Sequence, residues 1–188
     1  MARPKSDDKR KAILTTACHL ISQQGLSAPT AQIAKEAGIS SGSLFTYFEN
    51  KNVLFNELYI ELKGEIAQAT LSSDQISNTP SEQLYIFWKN LTYWLMRNHS
   101  KTKTLQLLNN SNDINDTTRK TGEQSMAKLA ALIDEVRQIG AMKESPLSMV
   151  VAYMDSLVHT TVDFMSKDIA NSEEHCKTGF KALWRVIR

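Results

Sequence analysis

Residues 30–51 read TAQIAKEAGISSGSLFTYFENK. Two short segments with helical spacing, Thr30 to about Ala37 and about Ser41 to Phe48, flank a glycine at position 38. The pattern predicts two short helices, with Gly38 in the turn and Ser40 capping the second. Ile33, Ala34, Ile39 and Leu44 are spaced to pack against one another. That is helix-turn-helix geometry, in which the second helix enters the major groove of DNA. Ser41, Gly42 and Ser43 would let its backbone lie close to base edges, and the N–H groups at its start can meet phosphate oxygens. Thr46 and Tyr47 can reach the groove wall or the backbone, and Lys51 a phosphate.

Upstream, a helix is expected to begin after Ser6, with Asp7 and Asp8 at the positive end of its dipole. Ile13, Leu14, Ala17, Leu20 and Ile21 form its apolar stripe, and Gly25 ends it. Charge is concentrated in this part of the chain. The whole protein carries 22 Lys+Arg against 20 Asp+Glu, a net charge of +2. Residues 1–55 hold seven basic groups (Arg3, Lys5, Lys9, Arg10, Lys11, Lys35, Lys51) and four acidic ones, which leaves the remainder slightly acidic. The run from Arg3 to Lys11 reads either as a basic arm reaching a minor groove or phosphate, or as a solvated terminus.

Downstream, Lys51 to about Thr70 predicts a longer helix carrying Leu54, Leu58, Leu62 and Ile66, followed by a polar loop over 72–78. Thr79-Pro80-Ser81-Glu82 is a capping box with proline at the first helical position. Behind it lie Leu84, Phe87, Trp88, Leu91, Trp94 and Leu95. A shorter helix covers Thr102 to Leu108, then a turn-forming loop spans 109–113. The seventh helix is expected from Thr117 to Ile139, with Met126, Leu129, Ala130, Ile133 and Val136 inward. Ser145-Pro146 opens the eighth, apolar on more than one side, and Asn171 to Glu174 opens the ninth. The expectation is an all-α chain of about nine helices without strands: a helix-turn-helix domain over 1–50 and a helical domain over 51–188.

Composition narrows the function classes. With 41% hydrophobic and 22% charged residues in 188, the chain reads as globular. The longest unbroken apolar run, Met149 to Met154, is far shorter than a membrane helix needs, and no secretory signal is visible. Cys18 and Cys176 stand alone, without a Cys-x-x-Cys pair, so a cytoplasmic setting is expected. No Ser-His-Asp or Cys-His arrangement has supporting context, which argues against an enzyme. Asp155, His159 and Asp163 share a helix face and could bind a divalent ion. A solvated or interfacial strip is the commoner meaning of that pattern, and neither a metal nor a cofactor is assigned.

The stretch from Arg10 to Leu54 resembles the DNA-binding domain of the tetracycline-repressor (TetR) family. The resemblance lies in Ile13-Leu14, Ala17, Gly25, Thr30, Ile33-Ala34 and the run from Ala37 to Lys51. It implies a homodimer with two DNA-binding heads and a helical C-terminal domain that senses a small ligand. By position, Ser41, Gly42, Ser43 and Thr46 would face bases, while Thr30, Phe45, Tyr47 and Lys51 would contact or flank phosphates. The family usually has Tyr where Phe45 stands, and often a polar residue where Pro29 stands.

For the sensing domain, an apolar pocket with a few polar groups is the usual small-ligand site. Trp88, Leu91, Met126 and Ile133 are the wall candidates, with His99 and His159 as polar ones; ordinary bundle core is the competing reading. Helices eight and nine suit dimerisation, since the eighth needs cover on two sides. The expected activity is therefore a repressor that binds a palindromic double-stranded operator and is released by a small effector. The alternative is a helical DNA-binding protein with no small effector, controlled by a protein partner.

Overall fold

The computed structural model describes residues 6–71 and 79–188; the expected polar loop over 72–78 lies outside them. The described residues form ten α-helices and no strand: α1 Asp7–Gln24, α2 Thr30–Glu36, α3 Ser41–Tyr47, α4 Lys51–Leu71, α5 Pro80–Arg97, α6 His99–Asn109, α7 Asp116–Ser125, α8 Ala127–Gln138, α9 Leu147–Lys167 and α10 Ser172–Ile187. A 3-10 turn, Ile169–Asn171, leads into α10. The expected eighth and ninth helices are thus α9 and α10. Among the described residues no helix is long and apolar enough to cross a membrane.

Where one helix was expected from Thr117 to Ile139, there are two. Met126 leaves helical geometry at φ −105° and ψ 11°, and its N–H bonds back to Glu123 at 2.9 Å. The inward positions Thr118, Gly122, Leu129, Ile133 and Val136 make one continuous stripe along the sequence. That stripe serves two cores, because the chain changes compact unit between Gly122 and Glu123. Periodicity alone cannot show such a change, since neither proline nor glycine marks position 126.

The first unit runs to Lys63 and takes in His99–Gly122. In the structure, the first part of α4, together with α6 and α7, completes this core. Ile13, Ala17 and Ile21 of α1 are fully buried, as are Ile33, Leu44, Phe48 and Leu54. The Thr104 hydroxyl of α6 donates to the Cys18 carbonyl at 2.8 Å. Asn56 donates to the Asp113 carbonyl at 2.8 Å and accepts the Asn115 N–H at 3.1 Å, which holds the loop before α7 against α4. Arg119 donates to the carbonyls of Asn109 and Ser111 from the other side.

The second unit comprises Gly64–Asn98 and Glu123–Arg188. Here α5 packs on α8, α9 and α10. Proline at the first position and a Thr79 hydroxyl that accepts the Glu82 N–H at 3.3 Å start α5 as expected. Trp88 anchors this core, fully buried, with its indole N–H bonded to the Cys176 carbonyl at 3.0 Å. Gly179 lets α10 come close: a Cβ there would lie 2.8 Å from Trp88 and closer still to the Thr161 hydroxyl. One side of α9 is less covered, with Met149, Tyr153 and Phe164 all exposed.

Candidate nucleic-acid interface

The turn between α2 and α3 follows from local chemistry. Gly38 has φ +70°, a conformation costly for residues with a Cβ. Its N–H bonds the Lys35 carbonyl at 3.2 Å, and the Ile39 N–H bonds the Ala34 carbonyl at 3.0 Å. That pair of bonds is a Schellman motif, which satisfies the last carbonyls of α2. Ser40 then caps α3, its hydroxyl accepting the Ser43 N–H at 3.1 Å. Leu44 and Phe48 point into the core. Ser41, Gly42, Phe45 and Thr46 are left exposed on the opposite side of α3.

The remaining expected residues have particular partners. Ser43 is half-buried, with its hydroxyl 2.8 Å from that of Ser40. Thr46 donates its hydroxyl to the Ser43 carbonyl at 2.6 Å. The Tyr47 hydroxyl accepts the Ser6 N–H at 3.2 Å, which ties the chain just before α1 to α3. Lys51 opens α4 with its ammonium 5.4 Å from the centre of the Phe55 ring. Thr30 is half-buried at the first position of α2.

Two features of this face were not legible in the sequence. Arg10, one of the seven basic groups of residues 1–55, pairs with Glu57 at 2.7 Å and Glu61 at 3.6 Å. Its charge is thereby used to join α1 to α4. The Ser6–Tyr47 bond also escaped notice, since its partners lie 41 positions apart and one is a backbone group.

The family described as "Bacterial regulatory proteins, tetR family" matches residues 13–58, which span all of the turn and α3. An uncharacterized HTH-type transcriptional regulator of Haemophilus influenzae is 31% identical over 117 residues, 60% of this chain and 62% of that protein. The HTH-type transcriptional regulator AcrR of Shigella flexneri is 33% identical over 70 residues, 37% of this chain and 33% of that protein. Residues 13–58 are therefore similar to the DNA-binding segment of the TetR family. The chain's matches span less than two thirds of these relatives' length. The TetR-family fold extends over nearly the whole chain. A TetR family transcription regulator from Marinobacter aquaeolei superposes with a TM-score of 0.83 at 22% identity, covering 96% of this chain and 96% of that one. The transcriptional regulator FadR of Bacillus subtilis, solved in complex with stearoyl-CoA, gives a TM-score of 0.69 at 20% identity, covering 95% and 99%.

The candidate ligand residues have different environments. Trp88, Leu91 and Ile133 are buried in the second unit. Met126, expected inward, is only half-buried, because it sits at the break between α7 and α8. His159 is half-buried on α9, and His99 is exposed at the start of α6, in the first unit. Asp163 pairs with Lys167 at 2.7 Å. Among the described residues no three His, Cys, Asp or Glu side chains stand close enough together to hold a metal ion.

Proposed function

We propose that this chain is a DNA-binding transcriptional regulator of the TetR family: a repressor that binds a palindromic operator as a homodimer and is released by a small effector. The observation that carries the reading is the exposed face of α3, four small or aromatic residues set beyond a glycine turn whose other side is fully packed. A packing turn alone needs no such open face. Ser41, Gly42, Ser43 and Thr46 would lie at bases. Thr30, Phe45, Tyr47 and Lys51 would lie at or beside phosphates.

The dimer draws support from the exposed Met149, Tyr153 and Phe164 on α9, with Val186 exposed on α10. An isologous interface on these helices gives two heads related by a two-fold axis, which suits major grooves roughly 34–36 Å apart or a multiple of that. The effector reading draws on the fold neighbour that holds stearoyl-CoA. An effector acts only through its differential affinity for the DNA-competent and incompetent states. The second reading, control by a protein partner without a small effector, draws on Trp88, whose ring and N–H are taken up inside the core.

Selection from a random-sequence duplex pool tests the reading. The full chain is expected to enrich a two-fold symmetric motif. Lys51→Ala should then weaken binding to all duplexes and flatten the dependence of log affinity on log salt by about one unit. Unchanged affinity and salt slope in Lys51→Ala would refute this docking. Adding stearoyl-CoA as a first probe separates the two modes of control: release of the duplex supports a small effector.

A further inference from the structure

α3 reads SGSLFTY over residues 41–47 and carries no Arg, Lys, Asn, Gln, Asp or Glu. Those are the side chains that make paired hydrogen bonds to purine edges or accept from cytosine. Its hydroxyls are largely committed. Ser43 is engaged with Ser40 at 2.8 Å. Thr46 donates to the Ser43 carbonyl at 2.6 Å, so its hydroxyl hydrogen is spent on the helix backbone. Tyr47 accepts the Ser6 N–H at 3.2 Å and keeps its own hydrogen to donate, as a contact to a phosphate needs. Ser41 keeps an exposed hydroxyl, but one hydroxyl can donate or accept and suits any base pair. Thr46 can still accept through its oxygen but has no hydrogen left to donate, so the groups α3 exposes include two apolar ones: the Phe45 ring, 46% exposed, and the methyl branch of Thr46.

The major groove offers one apolar group, the 5-methyl of thymine. We propose that α3 reads its half-site chiefly through thymine methyls, with the Phe45 ring and the Thr46 methyl as the reading groups. This inference rests on the DNA-binding function proposed above. It assigns to Phe45 a base contact rather than a place beside a phosphate. It also divides the work at the interface: Lys51 and its like supply affinity that is blind to sequence, while two neighbouring apolar groups supply the discrimination. Neither group belongs to the buried core, since both residues are exposed.

Deoxyuridine provides the test, since it keeps the hydrogen-bonding edge of thymine and lacks only the methyl. The best duplex selected by the full chain is resynthesised with single thymine-to-deoxyuridine replacements through one half-site. Affinity should fall about four-fold at each position whose methyl is read. Thr46→Ser keeps the hydroxyl bonded to Ser43 and removes the methyl. It should weaken binding to the thymine duplex and abolish the deoxyuridine effect at one position. Phe45→Ala should do the same at a different position. Thermal melts confirm that both variants are folded. If a specific motif is enriched but deoxyuridine is tolerated everywhere, the methyl reading is overturned and the DNA-binding function stands. If no motif is enriched and all duplexes bind alike, the DNA-reading function fails and the methyl reading fails with it.

Discussion

Thr46 and Arg10 show how a side chain's role depends on its partners. As sequence, Thr46 is a polar residue on an exposed helix face; its bond to the Ser43 carbonyl takes up its one hydroxyl hydrogen. As sequence, Arg10 is one cation in a basic run; its pairing with Glu57 and Glu61 makes it a strut between α1 and α4. The Thr46 bond is local, three residues back along the helix, whereas the Arg10 pairing joins positions 47 apart and no spacing records it. Gly38 was legible, because a glycine between two short amphipathic segments announces a turn. Gly38→Ala should destabilise the protein by about 1–2 kcal/mol, the cost of placing a Cβ in the left-handed region. Nothing lies within 4 Å of that Cβ, so the loss is conformational and not a clash. Urea denaturation measures it, and an unchanged midpoint would refute the argument.

Helices were legible where apolar period, cap and breaker agreed. α5 begins at the expected capping box and α3 at its expected serine cap. α7 and α8 were read as one because the stripe continues in phase across Met126. Two glycines inside helices separate intrinsic helix preference from packing. Gly64 of α4 is exposed, with nothing within 4 Å of its would-be Cβ. Gly64→Ala should therefore stabilise by up to about 1 kcal/mol, the propensity difference between the two residues. Gly179 of α10 faces Trp88 and Thr161 at distances no Cβ tolerates. Gly179→Ala gains the same propensity and loses more to overpacking, typically about 1–3 kcal/mol. The two variants should shift the melting temperature in opposite directions.

For the molecule as a whole, the near-neutral total charge of +2 conceals a basic first portion and a slightly acidic remainder. The two compact units do not coincide with that division, since His99–Gly122 joins the first. The exposed Met149, Tyr153 and Phe164 on α9 bear on assembly. If this face joins two copies, Tyr153→Glu with Phe164→Glu should give a monomer in sedimentation equilibrium and weaken operator binding. Both residues are exposed, so the fold should persist, and a dimer surviving in the double variant would exclude the α9 face.

By itself the sequence determined the all-α class, the glycine turn and the capped start of α3. These depend on neighbours a few positions apart, where period, caps and breakers act through local backbone chemistry. Tertiary structure alone decided which core each half of the α7–α8 stripe serves, that the Tyr47 hydroxyl holds the N–H of Ser6 and which cation holds α1 to α4. Those outcomes depend on groups brought together from distant positions, 47 residues apart for Arg10 and Glu57. No local pattern records such a meeting.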